Sequence, residues 1–359
     1  MIMLLVNLAH CLKQPTGITS YALTLVPFLN QLQPRYLSPM PLAGEAEEWR
    51  LSVPTDMTAA AGFKGHLKRL WWTQTQLPQI ADNAQASLIF SPLPEAPRGS
   101  QTPFVLTMHD LIPLRFNRPW SPTRLYYRHY LPGLLAEAQH IICNSQTTAD
   151  DVMAVYGCAA KQLSVIPLAY DESRFRWLDL PPQNYFLCLG RSAPHKNWGR
   201  ILRAFARLPQ RHQYELWLAG PTDHRFTPPL LAQAEELGIA HQLRVLDFLE
   251  PEELVNVINQ AIALVFPSLW EGFGIPILEA MACGTPVITS NGLPMAEVAG
   301  DGALLVEPRE DKSIAQAMER LVREENLRHQ LRTAGFANLK KFSQQKMGTA
   351  TVEVLKQFM

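Results

Sequence analysis

The sequence has no surplus of either charge: 32 Lys and Arg stand against 32 Asp and Glu in 359 residues. Nothing global therefore draws the chain to nucleic acid, and only local basic patches are left to meet phosphate or a membrane surface. Cysteine is scarce. The five residues Cys11, Cys143, Cys158, Cys188 and Cys283 are odd in number and form no C-x2-C pair. That argues against a disulfide framework or a thiolate zinc site and fits reduced, buried thiols in a cytosolic protein. Long apolar runs are missing too. The N-terminus MIMLLVNLAH lacks a basic flank and is too short for a signal peptide or a membrane span, so it reads as a first strand. Membrane contact is then expected only as a peripheral one, at the inner face. There is no low-complexity tract and no short-period repeat.

Missing motifs narrow the chemistry further. The chain has no G-x-G-x-x-G for a dinucleotide, no phosphate loop of the G-x4-G-K-[ST] type and no G-x-S-x-G elbow. It also lacks a D-x-D that would hold a diphosphate through a metal, and any His/Cys/Asp cluster at metal-ligand spacing. Neither a cofactor nor a metal is expected.

Enough is present for a folded protein with sizeable cores: 47% of the residues are hydrophobic and 18% charged. The length makes two domains the prior. Apolar runs of strand length fall at 2–8, 87–91, 104–108, 140–144 and 163–167, then at 185–189, 214–219, 243–248, 262–266, 286–289 and 303–306. Helix-like patterns lie between many of them, at 121–138, 197–208, 230–238, 251–260 and 311–323. Strands alternating with helices predict α/β architecture with doubly wound parallel sheets. The pattern breaks at 170–184, where Asp171-Glu172-Ser173 and Pro181-Pro182 interrupt it. Two domains are therefore expected, 1–172 and 183–343, with a helical tail broken near Phe342-Ser343. Region 43–83 is the least readable, and its Trp71 and Trp72 read as packing anchors.

The most informative stretch is Phe266 to Ser290, FPSLWEGFGIPILEAMACGTPVITS. A buried strand ends at Phe266, glycines at 272 and 274 allow a sharp turn, and Pro276 suits the start of a helix running to Cys283. The amides around Gly272, Phe273, Gly274 and Ile275 would then offer a phosphate site at a helix N-terminus. Carboxylates beside a phosphate are costly unless they face neutral donors, so Glu271 and Glu279 read as acceptors for sugar hydroxyls. A strand-turn-helix with two incidental glutamates fits the same residues.

Other candidates sit where strands end. Arg191 and Lys196, five apart in GRSAPHKN after the strand YFLCL, are placed to grip one diphosphate, Arg bidentately and Lys as a point charge. Asn197 reads as the N-cap of the next helix. His109 follows the strand PFVLTM and would face the crevice of an open α/β sheet, with Asp110 orienting its ring. Gly17, in the loop Gln14–Ser20 after the first strand, could line a phosphate or acceptor site or be an ordinary turn. Gly220 could let a nucleotide approach, and Phe248-Leu249 could flank its base, main chain more than side chains.

The run Pro267, Ser268, Glu271, Gly272, Phe273, Gly274, Pro276, Glu279, Ala280, Gly284, Pro286 and Val287 resembles the E-x7-E signature of family 4 retaining glycosyltransferases. Arg191 and Lys196 match the family's R-x4-K pair, and His109-Asp110-Leu111 its T-x-H-D-L segment. Paired glycines are common in the family's first loop, and this chain has only Gly17 there. The resemblance covers the whole chain. It implies a GT-B fold, two Rossmann-like domains facing across a cleft, with a last helix (about 344–359) packing back on the first domain. It assigns the acceptor to the first domain and the nucleotide sugar to the second. Arg191 and Lys196 would neutralise the leaving diphosphate without a metal, Glu271 hold the transferred sugar, Glu279 the ribose, and His109 a sugar hydroxyl. The segments TQTQLP around Leu77-Pro78, HDLIP at 109–113 and SLWEGFGIPILEAMACG resemble mannosyltransferase-like members. GDP-mannose is thus favoured over UDP- or ADP-sugars, with a surface glycan or lipid-linked glycan as acceptor. Two other readings stay open: a non-catalytic nucleotide-sugar-binding partner in a glycan-assembly complex, and a phosphorylase or epimerase on the same fold.

Overall fold

The computed structural model describes residues 3–12, 17–58 and 62–359. The chain divides into two compact units, Met1–Leu168 with Gln344–Met359, and Ala169–Ser343.

The first unit is built on seven parallel strands in the order β3-β2-β1-β4-β5-β6-β7. They are β1 (Leu4–Asn7), β2 (Arg35–Ser38), β3 (Arg50–Ser52), β4 (Leu88–Ser91), β5 (Phe104–Met108), β6 (His140–Cys143) and β7 (Leu163–Val165). Strands β1, β4, β5 and β6 are buried along their whole length, as near-continuous apolar runs covered by helices on both faces should be. Leu5, Ile89, Leu106 and Ile141 share one core with Leu77, Leu131 and Leu135 of the covering helices.

Two of these strands, β2 and β3, are not among the apolar runs of the sequence. Each opens on an arginine and spans only four or three residues, and two of the three residues of edge strand β3 are exposed. Their pairing comes from register with β1, Leu5 opposite Arg35 and Tyr36 opposite Arg50, not from their own hydrophobicity. In the helix Gly62–Thr75, Trp72 is buried as expected, whereas Trp71 is 63% exposed. Adjacent helical residues point about 100° apart, so one helix face cannot bury both.

The helix Gln344–Lys356 packs against the helix Gly17–Leu29 within the first unit. A Cβ at Gly348 would lie 2.2 Å from Phe28 Cγ, so the bare backbone there is what seats the Phe28 ring.

The second unit holds six parallel strands in the order β10-β9-β8-β11-β12-β13. These are β8 (Tyr185–Leu189), β9 (Glu215–Ala219), β10 (Leu243–Leu246), β11 (Ala263–Phe266), β12 (Val287–Ser290) and β13 (Ala303–Val306). Both sheets run third-second-first-fourth and onward, the doubly wound Rossmann order. It places a switch point between β1 and β4 in one and between β8 and β11 in the other.

Candidate functional site

In the second unit the chain leaves β8 and β11 on either side of the switch point, and both exits carry candidate residues. After β8, the backbone at Gly190 and Gly220 come into contact. Gly220 has φ +137°, and a Cβ there would sit 2.2 Å from the Gly190 carbonyl oxygen, so only glycine fits. The Gly190 N–H donates to Ala219 O at 3.0 Å, locking the two exits together. The β9 and β10 exits are tied in turn by the Thr222 N–H on Asp247 Oδ1, 3.2 Å. Beyond them Phe248 stands 57% exposed and Leu249 half-buried.

The loop then turns Lys196 inward and leaves Arg191 exposed. Lys196 Nζ lies 2.8 Å from Glu271 Oε1 and 4.6 Å from the centroid of the Phe266 ring. The two side chains are only 13% and 11% exposed. Asn197 occupies the N-cap position of the helix Trp198–Ala206, but its side chain does not cap it. Its backbone is left-handed, φ 64°, and Nδ2 instead donates to Pro267 O (3.0 Å) and Pro308 O (2.6 Å). Two buried carbonyls need donors more than the helix end does, and the result ties the β8 loop to the β11 exit.

After β11, Gly274 at φ +116° opens the helix Ile275–Ala282, with Pro276 in its first turn and Cys283 as its cap residue. Pro276 brings no N–H, and the Ile277 N–H turns back to Gly274 O, 3.0 Å. The outward-facing donors of this helix start thus narrow to the amides around Gly274 and Ile275. Gly272 is buried, and the buried Phe273 ring packs edge-on to Phe342 at 5.8 Å, which leaves its backbone as what it can offer a ligand.

Glu279 lies one turn into that helix, half-buried, and its carboxylate makes no hydrogen bond or ion pair with the described residues. Loss of water pushes its pKa up from 4.5 to about 7, against the pull of Arg174 and Lys196 and with the push of Asp171. The sequence pattern read Asp171-Glu172-Ser173 only as a break in periodicity and did not single out Arg174. Asp171 and Arg174 both act on the Glu279 charge, and the sequence sign of it was a charged run where periodicity stops.

In the first unit, His109 follows β5 and is 8% exposed. Its Nε2 lies 2.8 Å from Pro92 O, at the exit of β4. A carbonyl only accepts, so Nε2 carries the proton and Nδ1 a lone pair. Burial lowers the ring's pKa to about 4, which keeps it neutral at pH 7. Tyr21 packs edge-on against it at 5.0 Å. The sequence reading gave the orienting role to Asp110. The group that holds the ring is the Pro92 carbonyl, and the Asp110 carboxylate accepts the Ile112 N–H at 2.8 Å. Of the loop Gln14–Ser20, residues 14–16 lie outside the described ones; Gly17 begins a helix, exposed, with open space where a Cβ would be.

Among the described residues no group of three or more His, Cys, Asp or Glu is placed to hold a metal. Nor is any described helix long and apolar enough to cross a membrane.

Comparison with known proteins adds to this geometry. Residues 170–337 match the family model for glycosyl transferases group 1, and residues 15–174 that for Glycosyltransferase Family 4. The O-antigen chain mannosyltransferase RfbU of Salmonella typhimurium is 32% identical over 217 residues, 60% of each chain. The O-antigen chain mannosyltransferase B of Escherichia coli is 34% identical over 177 residues, 48% of this chain and 46% of that one. The chain thus spans about half the length of these curated relatives. Among solved structures, Anabaena Alr3699/HepE in complex with UDP and glucose superposes with a TM-score of 0.77 at 17% identity, over 99% of this chain and 100% of that one. At that identity the likeness is one of fold.

Proposed function

The chain belongs to the group 1 and family 4 glycosyltransferases, and on that premise we propose that it moves mannose from GDP-mannose to a glycan or lipid-linked glycan acceptor in surface polysaccharide synthesis. The observation that carries the reading is the Lys196–Glu271 pair beside the β8/β11 switch point, with Arg191 exposed and Glu279 unpartnered nearby. A sugar nucleotide offers a diphosphate to the cations and hydroxyls to the carboxylates. The choice of mannose is supported by the names of the two relatives and by the subfamily segments of the sequence.

On this reading the diphosphate draws Lys196 and Arg191 to itself, and Glu271 exchanges its ammonium partner for hydroxyls of the transferred sugar. Glu279 takes the ribose hydroxyls, and amides around Gly274 and Ile275 add donors to the phosphates. Gly220 gives the nucleotide room, with Phe248 and Leu249 flanking the base. Neutral His109 accepts a sugar hydroxyl at Nδ1. The bond between the anomeric carbon and the diphosphate breaks as an acceptor hydroxyl attacks the same face. The hydroxyl's proton passes to the departing phosphate oxygen, so configuration is retained and no side-chain nucleophile is needed. Arg191 and Lys196 supply the charge neutralisation a metal would otherwise give. A lipid-linked acceptor would bring the chain to the inner membrane face as a peripheral protein.

The test is transfer from GDP-mannose to a lipid-linked glycan in the presence of EDTA, with the anomeric configuration of the product read by NMR. An α-linked product, formed equally well with and without chelator, is expected. An inverted product, or none from any sugar nucleotide, would contradict the assignment.

A further inference from the structure

The segment just ahead of β8 is fixed at both ends. At one end the Asp171 carboxylate accepts from Ser173 N (3.1 Å), Ser173 Oγ (2.7 Å) and Arg174 N (3.2 Å). At the other, Asn259 holds Arg176 O (3.0 Å) and Leu178 N (2.8 Å). Trp177 lies against the chain at Gly284, where a Cβ would come within 2.9 Å of its ring. Phe175 between them is buried. Gly284 closes the helix that carries Glu279, so the segment runs alongside that helix with its backbone pinned.

Arg174 is the residue left over. It is half-buried, yet its guanidinium makes no hydrogen bond and no ion pair with any described residue. Its guanidinium lies 5.6 Å from the centroid of the neighbouring Phe175 ring, an arrangement that uses none of its five N–H donors. Arg174 is also the cation that acts most strongly on Glu279, although the two form no ion pair within 4 Å. A half-buried cation and a half-buried anion, each without a hydrogen bond or ion pair among the described residues, thus lie on two segments that meet at Trp177 and Gly284. A ligand that serves both must give protons to a carboxylate and oxygen lone pairs to a guanidinium. A ribose 5′-phosphate unit does both, through its ring hydroxyls and its phosphate.

We propose that Arg174 binds the donor directly, taking the α-phosphate of the nucleotide while Glu279 takes the ribose hydroxyls. The inference rests on the nucleotide-sugar reading of this site and adds a cation to it from outside the R-x4-K and E-x7-E motifs. Arg191 and Lys196 then serve the β-phosphate, and the two phosphates have separate partners.

Calorimetric titration of the full chain with guanosine, GMP and GDP separates these roles. If the wild-type protein prefers UDP, the uridine series takes their place. Arg174→Gln should lower the affinity for GMP and for GDP alike, by about tenfold or more, and leave guanosine unchanged. Arg174→Lys should lose less, because it keeps the charge without the fork. Lys196→Ala should weaken GDP and spare GMP. Since the Arg174 guanidinium makes no hydrogen bond or ion pair with the described residues, Arg174→Gln should melt within a few degrees of the wild type. Undiminished GMP binding in Arg174→Gln, or an equal loss for guanosine, would overturn the proposal while leaving the nucleotide site standing. A wild-type protein that binds no nucleotide would remove both.

Discussion

At the scale of single residues, the contact between Lys196 and Glu271 sets the terms. Both side chains are nearly out of water beside the Phe266 ring, so each is the other's compensation for lost hydration. Glu271→Ala would strand a buried ammonium. We expect it to lose transfer and about 1–3 kcal/mol of stability, discounted from the fully buried case because the pair keeps some exposure. Glu271→Gln should lose transfer with a smaller drop in melting temperature, because the amide still accepts from Lys196. Equal melting of wild type and Glu271→Ala would show that the pair does not hold in solution. From the sequence these residues read as two separate ligand contacts, since a pairing across 75 positions leaves no mark on local pattern.

Glu279 supplies the opposite case, a residue whose ionisation works against the fold. Its pKa is raised, so the folded state holds the proton more tightly than the unfolded state, and stability falls as pH rises from about 4.5 to about 7. Glu279→Gln removes that cost. It should raise stability by roughly 1–3 kcal/mol at pH 8 and by nothing at pH 4, while weakening donor binding. Thermal melts at the two pH values check this, and a loss of stability at pH 8 would contradict it.

At the scale of elements, strand positions were legible wherever a strand is buried on both faces, because burial demands an unbroken apolar run. Strand β3 escaped because Arg50 opens it and the sheet edge lets its residues stay wet, and β2 because its short run RYLS carries only two apolar residues between Arg35 and Ser38 although it is largely buried. Helix ends were legible to within a few residues, but what their residues do was not. Asn197 has the right type and place for a cap, and its left-handed backbone carries the side chain to Pro267 and Pro308 instead. The helix Gln344–Lys356 gives a prediction at this scale. Gly→Ala inside a helix ordinarily gains up to about 1 kcal/mol. At Gly348 the added methyl would meet Phe28 Cγ at 2.2 Å, in the middle of the ring's attachment and not at a yielding tip. The clash should win, and Gly348→Ala should destabilise by roughly 1–3 kcal/mol in urea unfolding. A stabilised variant would mean that this helix is not packed as described.

At the scale of the molecule, the same strand order appears in two sheets, and each sheet carries its candidate residues where the chain leaves the strands that flank or neighbour its switch point. His109 and Pro92 belong to the β5 and β4 exits of one unit, and Arg191, Lys196 and Glu271 to the β8 and β11 exits of the other. Alternation of strands and helices announced that architecture, and the motif residues of the sequence fall at these exits. Arg174 stayed hidden because its role depends on a neighbour brought alongside by packing at Asn259 and Gly284, contacts no local pattern encodes. The central claim is that the second unit's strand exits hold a guanosine diphosphate sugar without a metal. Thermal shift of the full chain with GDP, UDP, ADP and their sugar conjugates, all in EDTA, tests it most directly. Saturating ligand at 100 times its dissociation constant should stabilise by about 2.7 kcal/mol. A shift selective for GDP and GDP-mannose is the expected result, and silence across the whole panel would contradict the account.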